Sequence, residues 1–200
     1  MKKRIYKGFI KKYQNVYLFI TILFISGFLM GIFLSKYMEL SDTNTLTSFI
    51  NVITTSMDKY QYFVNEFFIG IVFILFVFLL GTSIIGIPLI SLIIFSKGLQ
   101  IGFSCTLFLA TYQFKGILGI CLTLFPQLLF DTLATFIISA SAIQLSMYLM
   151  YSCISNQKID SKKLLNNVLN DISISFIIVF IGSYLKATIV IELFKLFKLL

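Results

Sequence analysis

Apolar residues in this chain come in long uncharged runs separated by short polar stretches. The longest run, Phe67 to Ser96, holds thirty residues without a single charged side chain. A hydrocarbon core about 30 Å thick is crossed by roughly 20 apolar residues in a helix, so the chain belongs in a bilayer. Further runs make the first crossing at 16–34, a third at 98–114, an apolar segment at 116–152 and a last crossing at 172–191. Thirty helical residues reach roughly 45 Å, more than one bilayer core needs. The run at 67–96 is therefore expected to kink or break at Pro88, two residues after Gly86, because proline removes a backbone hydrogen bond and bends a helix. Lys97 then follows at the cytoplasmic interface, where its stem can snorkel.

The segment at 116–152 is too long for one simple crossing and carries Asp131 as its one charge, with Pro126 five residues earlier. Three arrangements fit: two crossings joined tightly near Asp131, a long bent helix, or a re-entrant hairpin followed by a full crossing. Broken backbone at membrane depth must be shielded by protein or a wet cavity. The expected fold is thus an all-α polytopic transmembrane bundle of five crossings, alternatively six, with kinked or re-entrant segments near Pro88 and Pro126. It forms one membrane domain over residues 1–200.

Charge then orients the chain. Six of the sixteen basic residues lie in the first twelve positions, directly ahead of the first crossing, which marks a cytoplasmic amino terminus. The segment 35–66 has a net charge of −2 and is expected outside the cytoplasm. Within it Leu46, Phe49, Ile50, Ile53, Met57, Tyr60 and Val64 recur at helical spacing, the pattern of an amphipathic helix. The net charge of +8 does not indicate nucleic-acid binding, because the basic residues sit at a membrane flank. The lipid bilayer itself is the first partner.

The 58% hydrophobic content and mean hydropathy of +0.98 leave few polar groups for chemistry. There is no histidine, and the three cysteines are scattered through apolar sequence without a CxxC spacing. No disulfide framework, metal site or cofactor is expected. Templates for nucleophilic or metal catalysis find no match, and no catalytic residues are assigned. Two glycine pairs at four-residue spacing, Gly27/Gly31 and Gly98/Gly102, suit close approach of helix backbones, inside the fold or with a partner. Asp131 admits two readings, an intramembrane proton or ion site or a helix-end aspartate at a turn.

The stretch from Gly86 through Pro88 to Lys97-Gly98, followed by Gly102-Phe103, resembles the central motif of the stage II sporulation protein M family. Pro126-Gln127 inside an apolar segment, ahead of Asp131, resembles that family's second motif, although Leu128 and Leu133 depart from its usual pattern. The resemblance implies a non-enzymatic multi-pass protein of the mother-cell membrane that engulfs the forespore in a spore-forming bacterium. It further implies a scaffold that localises peptidoglycan-degrading partners, the stage II sporulation proteins D and P. A reading of another class also stands: a small transporter or permease component using the broken helices around Pro88 and Pro126.

Overall fold

The computed structural model describes residues 2–37, 59–113, 117, 120–121, 125–155, 161–190 and 192. Five long helices account for almost all of them: α1 (Lys2–Tyr37), α2 (Lys59–Gly81), α3 (Gly86–Tyr112), α4 (Phe125–Ser155) and α5 (Ser161–Leu185). A π-helical segment, Lys186–Val190, continues α5. Each helix contains a stretch long and apolar enough to cross a membrane, and no strand occurs among the described residues. The all-α bundle of five crossings is the expected one.

The positions of the breaks differ from the expectation. The thirty-residue run is not one kinked crossing ending at Lys97. It is two helices, α2 and α3, folded back on each other at Thr82–Ile85. Pro88 is the third residue of α3 and Pro126 the second of α4. The first backbone N–H groups of a helix have no intrahelical acceptor, so proline there costs no hydrogen bond and its fixed φ suits the first turn. Both prolines start helices instead of bending them. Lys97 consequently lies eleven residues inside α3, not at the end of a helix. Phe125–Ser155 is continuous, which rules out a tight turn at Asp131.

Two further boundaries shift. Residues 59–66, read as part of the external loop, are the first two turns of α2. The last crossing, expected to begin at residue 172, is part of a longer helix, α5, that starts at Ser161. The rest of the loop helix, 46–58, lies outside the described residues, as does most of 114–124.

The turn between α2 and α3 is itself apolar, with Ile84 and Ile85 exposed. Its polar groups are satisfied locally. Leu79 O accepts from Thr82 N at 3.1 Å and from Thr82 Oγ1 at 2.7 Å, and Leu80 O accepts from Ser83 N at 3.1 Å. Ser83 O accepts from Gly86 N at 3.0 Å and from Ser146 Oγ of α4 at 2.7 Å. Such accounting is what lets a turn exist in apolar surroundings. Gly86 is required there, because a Cβ would run into the Leu80 carbonyl.

Helix directions follow from which residues face each other. Gly27 and Gly31 of α1 face Phe95 and Leu99 of α3, so these two run parallel. Ser141 of α4 meets Asp171 of α5, while Asp131 meets Lys186, so these two run antiparallel. The odd-numbered helices thus point one way and the even-numbered ones the other, as alternate crossings must. Helix α4 packs on all four others. Of its spanning stretch 56% is buried, against 11–33% for the other four, which makes it the axis of the bundle. The remaining helices turn apolar flanks such as Leu18, Ile22, Ile25 and Leu29 outward, where lipid takes the place of a core.

Candidate functional site

The residues singled out in the sequence gather in two places, not one. The first is the seam between α1 and α3. Gly98 and Gly102 pack on the backbone of α1 at Phe24 and Phe28, while Gly27 and Gly31 pack on the backbone of α3 at Phe95 and Leu99. The two glycine pairs therefore interlock with each other inside the fold. A methyl group on Gly31 would stand 2.8 Å from the Phe103 amide nitrogen, and one on Gly98 would stand 3.0 Å from that of Phe28. Phe103 contributes to this seam through its backbone. The seam consumes both pairs, since one face of each helix is pressed against the other. Gly86 and Pro88 set the start of α3 and so its register along α1.

The second place is at the opposite end of α2 from the Thr82–Ile85 turn. Lys186, the first residue of the π-helical segment, is almost fully buried and donates to Glu66 Oε2 of α2 at 2.7 Å and to Asp131 Oδ2 of α4 at 2.8 Å. The side chain of Lys186 is 7% exposed, those of Glu66 and Asp131 25% and 37%. The three helices arrive there for local reasons. Glu66 lies eight residues into α2 and Asp131 seven residues into α4, so parallel helices place the two acids at similar depth. α5, running the other way, delivers Lys186 to the same level at its far end. A π-helical turn widens the helix locally, a deformation found frequently at functional sites.

Electrostatically the cluster is one cation between two anions. A lone charge at membrane depth costs at least about 2.5–3.5 kcal/mol on insertion scales. The pairing relieves this for Lys186 twice over. Fully ionised, the group carries one excess negative charge. On an adjoining surface of the same end, Lys59 pairs with Glu192 at 2.6 Å, but both side chains are more than half exposed, so this link contributes little.

Between these places α4 and α5 carry buried hydroxyls: Thr135, Ser139, Ser141 and Ser146 on α4, Ser175 and Ser183 on α5. Thr135 donates back to Asp131 O at 2.7 Å, and Ser141 donates to the carboxylate of Asp171. Ser139 and Ser175 are fully buried and their hydroxyls have no partner among the described residues. Lys97 joins neither the seam nor the ionic cluster. Its ammonium lies over the Phe73 ring of α2, 5.1 Å from the centroid. Pro126 and Gln127 occupy the first turn of α4, ahead of Asp131.

Asp131 is thus paired, and the acid and base that pair with it come from 65 residues before and 55 after. Glu66 is hidden as a partner in the sequence because it stands at the end of a polar segment, whereas the fold makes it part of α2. The available signal was Lys186, an uncompensated lysine in an apolar run, whose burial demands an anion from elsewhere in the bundle.

Two comparisons with curated proteins and with solved structures return no match. A family model described as Stage II sporulation protein M matches residues 20–194, a range that runs from within the first crossing past the last and takes in the interlocked glycines and the ionic cluster.

Proposed function

The chain belongs to the stage II sporulation protein M family, and from that premise we propose that this sporulation membrane protein is a non-enzymatic scaffold. In this reading it resides in the membrane that engulfs the forespore and holds peptidoglycan-degrading partners, stage II sporulation proteins D and P, at the migrating edge. The observation that carries the proposal is the family match over 175 of the 200 residues. The fold supports it in a specific way. The strongest polar and close-packing devices of the chain, the ionic cluster and the glycine seam, are turned inward and bind its own helices together. A platform that positions other membrane proteins needs such internal fixing, while its outer faces stay available for contacts.

The test is deletion of the gene in its own host, followed by microscopy of sporulating cells and co-purification in mild detergent. The expected outcome is arrest at engulfment with normal vegetative growth, and recovery of the two hydrolytic partners with the tagged protein. Vegetative growth defects with normal engulfment would refute the scaffold.

One observation favours the second reading, a small transporter component. Two fully buried hydroxyls, Ser139 of α4 and Ser175 of α5, have no partner among the described residues, the Lys186 cluster joins α2 and α4 to the end of α5, and intramembrane ionisable groups often mark ion paths. Proton or cation flux into vesicles containing the purified chain, abolished by Asp131→Asn, would establish that reading in place of the scaffold.

A further inference from the structure

Lys97 is the least explained charge in the molecule. It lies eleven residues from the start of α3 and fifteen from its end, about 17 Å along the helix from Gly86 at 1.5 Å per residue. That is roughly half the thickness of a hydrocarbon core. Lysines that snorkel do so from helix ends, and Lys97 is not near one. No carboxylate among the described residues pairs with it. Its one partner is the ring of Phe73, at 5.1 Å, and a cation–π contact leaves the charge itself uncompensated.

The surroundings are also unusual for a lipid-facing surface. Ser96 and Gln100, the neighbours of Lys97 along the outer side of α3, are exposed, and the Gln100 amide has no hydrogen-bond partner among the described residues. Leu92, one turn before, is exposed as well. On the inner side α3 is committed to α1 through the glycine seam, whereas its contact with α2 is sparse. Lys97 and Phe73 therefore face each other across the α2–α3 crevice, the line along which these two helices touch only sparsely. A half-buried cation, a free amide and an aromatic ring at mid-membrane depth form a polar patch that lipid tails cannot satisfy.

We propose that the α2–α3 crevice at Lys97 docks a transmembrane helix of a partner protein that carries an aspartate or glutamate near the middle of its span. The carboxylate accepts from the Lys97 ammonium, the Gln100 amide donates to or accepts from the same helix, and apolar side chains of the partner lie along Leu92. Charge complementarity selects the partner. An acidic residue at the bilayer centre is as costly as the lysine, so each removes the other's penalty, and a helix without the acid gains only packing. The proposal deepens the scaffold reading and rests on it for the identity of the occupants, since it states the chemistry by which a membrane-anchored partner is recognised.

The test uses the full-length chain in lipid vesicles with a designed single-pass polyleucine helix as probe. One version carries aspartate at its midpoint, a second leucine there, and a third the aspartate seven residues nearer one end. Energy transfer between dyes on the chain and on the probe reads binding. The mid-span aspartate helix is expected to bind at least tenfold tighter than both others. Lys97→Met should abolish that preference, Lys97→Arg should keep it, and Gln100→Leu should reduce it severalfold. The arginine variant also shows that substitution at this position leaves the bundle folded. Equal binding of the aspartate and leucine probes, or a preference that survives in Lys97→Met, would overturn the proposal. So would Lys97-dependent energy transfer between two labelled copies of the chain that the aspartate helix fails to compete away, which would assign the crevice to self-association. None of these measurements involves sporulation. Normal engulfment in a deletion strain would end the scaffold reading without touching them, and equal probe binding would end the docking site without touching the scaffold.

Discussion

Replacing Gly98 by alanine adds one methyl group, yet its consequence is large because of what that methyl meets. It would stand 3.0 Å from the Phe28 amide nitrogen and closer still to the Phe24 carbonyl oxygen, both backbone atoms of α1. Ordinary contacts of a Cβ begin near 3.4 Å, so α1 and α3 must separate by on the order of 1 Å. A gap of that size forfeits about a quarter to a half of the dispersion attraction at each contact along the seam. In lipid that packing is the main attraction between helices. The expected loss is ~1–3 kcal/mol for alanine, the usual range for overpacking, and more for leucine. Gly70 supplies the control. A methyl there would meet the Cγ1 tip of Val179 and no backbone, so one side chain has to give way instead of a whole helix and Gly70→Ala should cost less than Gly98→Ala. Because Gly27 and Gly98 border one seam, the Gly27→Ala/Gly98→Ala pair should cost less than the sum of the single changes. Once the helices have moved apart, the second methyl finds room. Unfolding by titration with a denaturing detergent, followed by helix signal and by a distance probe between α1 and α3, measures all four variants. Equal stability of Gly98→Ala and Gly70→Ala would refute the reasoning, as would strict additivity of the pair.

Three further outcomes are expected. Lys186→Met leaves Glu66 and Asp131 facing each other without their cation and should destabilise by about 3–5 kcal/mol; adding Glu66→Gln and Asp131→Asn should recover most of it, and a triple variant no more stable than Lys186→Met in detergent unfolding would show that the charges are not what holds this end together. Ser146→Ala removes the α4 hydroxyl that donates to Ser83 O and should cost ~1 kcal/mol, within the range measured for interhelical hydrogen bonds in membranes; no loss of stability would mean the turn is satisfied without it. With Cys105, Cys121 and Cys153 removed, Lys59→Cys should react with an impermeant thiol reagent in intact wall-stripped cells, and Ser161→Cys only after permeabilisation, because α2 and α5 begin at opposite ends of the bundle and six early basic residues hold the amino terminus inside. The reverse pattern would invert the orientation.

Bilayer residence and the all-α class could be read from the chain alone, because run length against membrane thickness is a local property; five crossings against six was settled by where the helices begin and end. Also legible in the chain was the identity of the glycines able to approach another backbone, since Gly27, Gly31, Gly98 and Gly102 declare themselves by spacing. What spacing does not declare is the partner, and only the packed bundle pairs the two motifs with each other. The break at Thr82–Ile85 was hidden for a related reason. Its residues are as apolar as the helices beside it, and its polar backbone groups are satisfied by Thr82, Ser83 and a serine of α4 sixty-three residues away. Hydropathy therefore runs through it without a dip, and the nearby prolines suggested a kink where helix starts stand. The ionic cluster lay furthest from view. Lys186 reaches Asp131 across 55 residues and Glu66 across 120. Each of the three is alone within its own segment, and burial forces them together only once antiparallel α5 and parallel α2 and α4 bring them to one depth. Lys97 shows the converse. Its position eleven residues inside a helix, with the Phe73 ring as its neighbour and no carboxylate among the described residues paired with it, was something only the fold revealed.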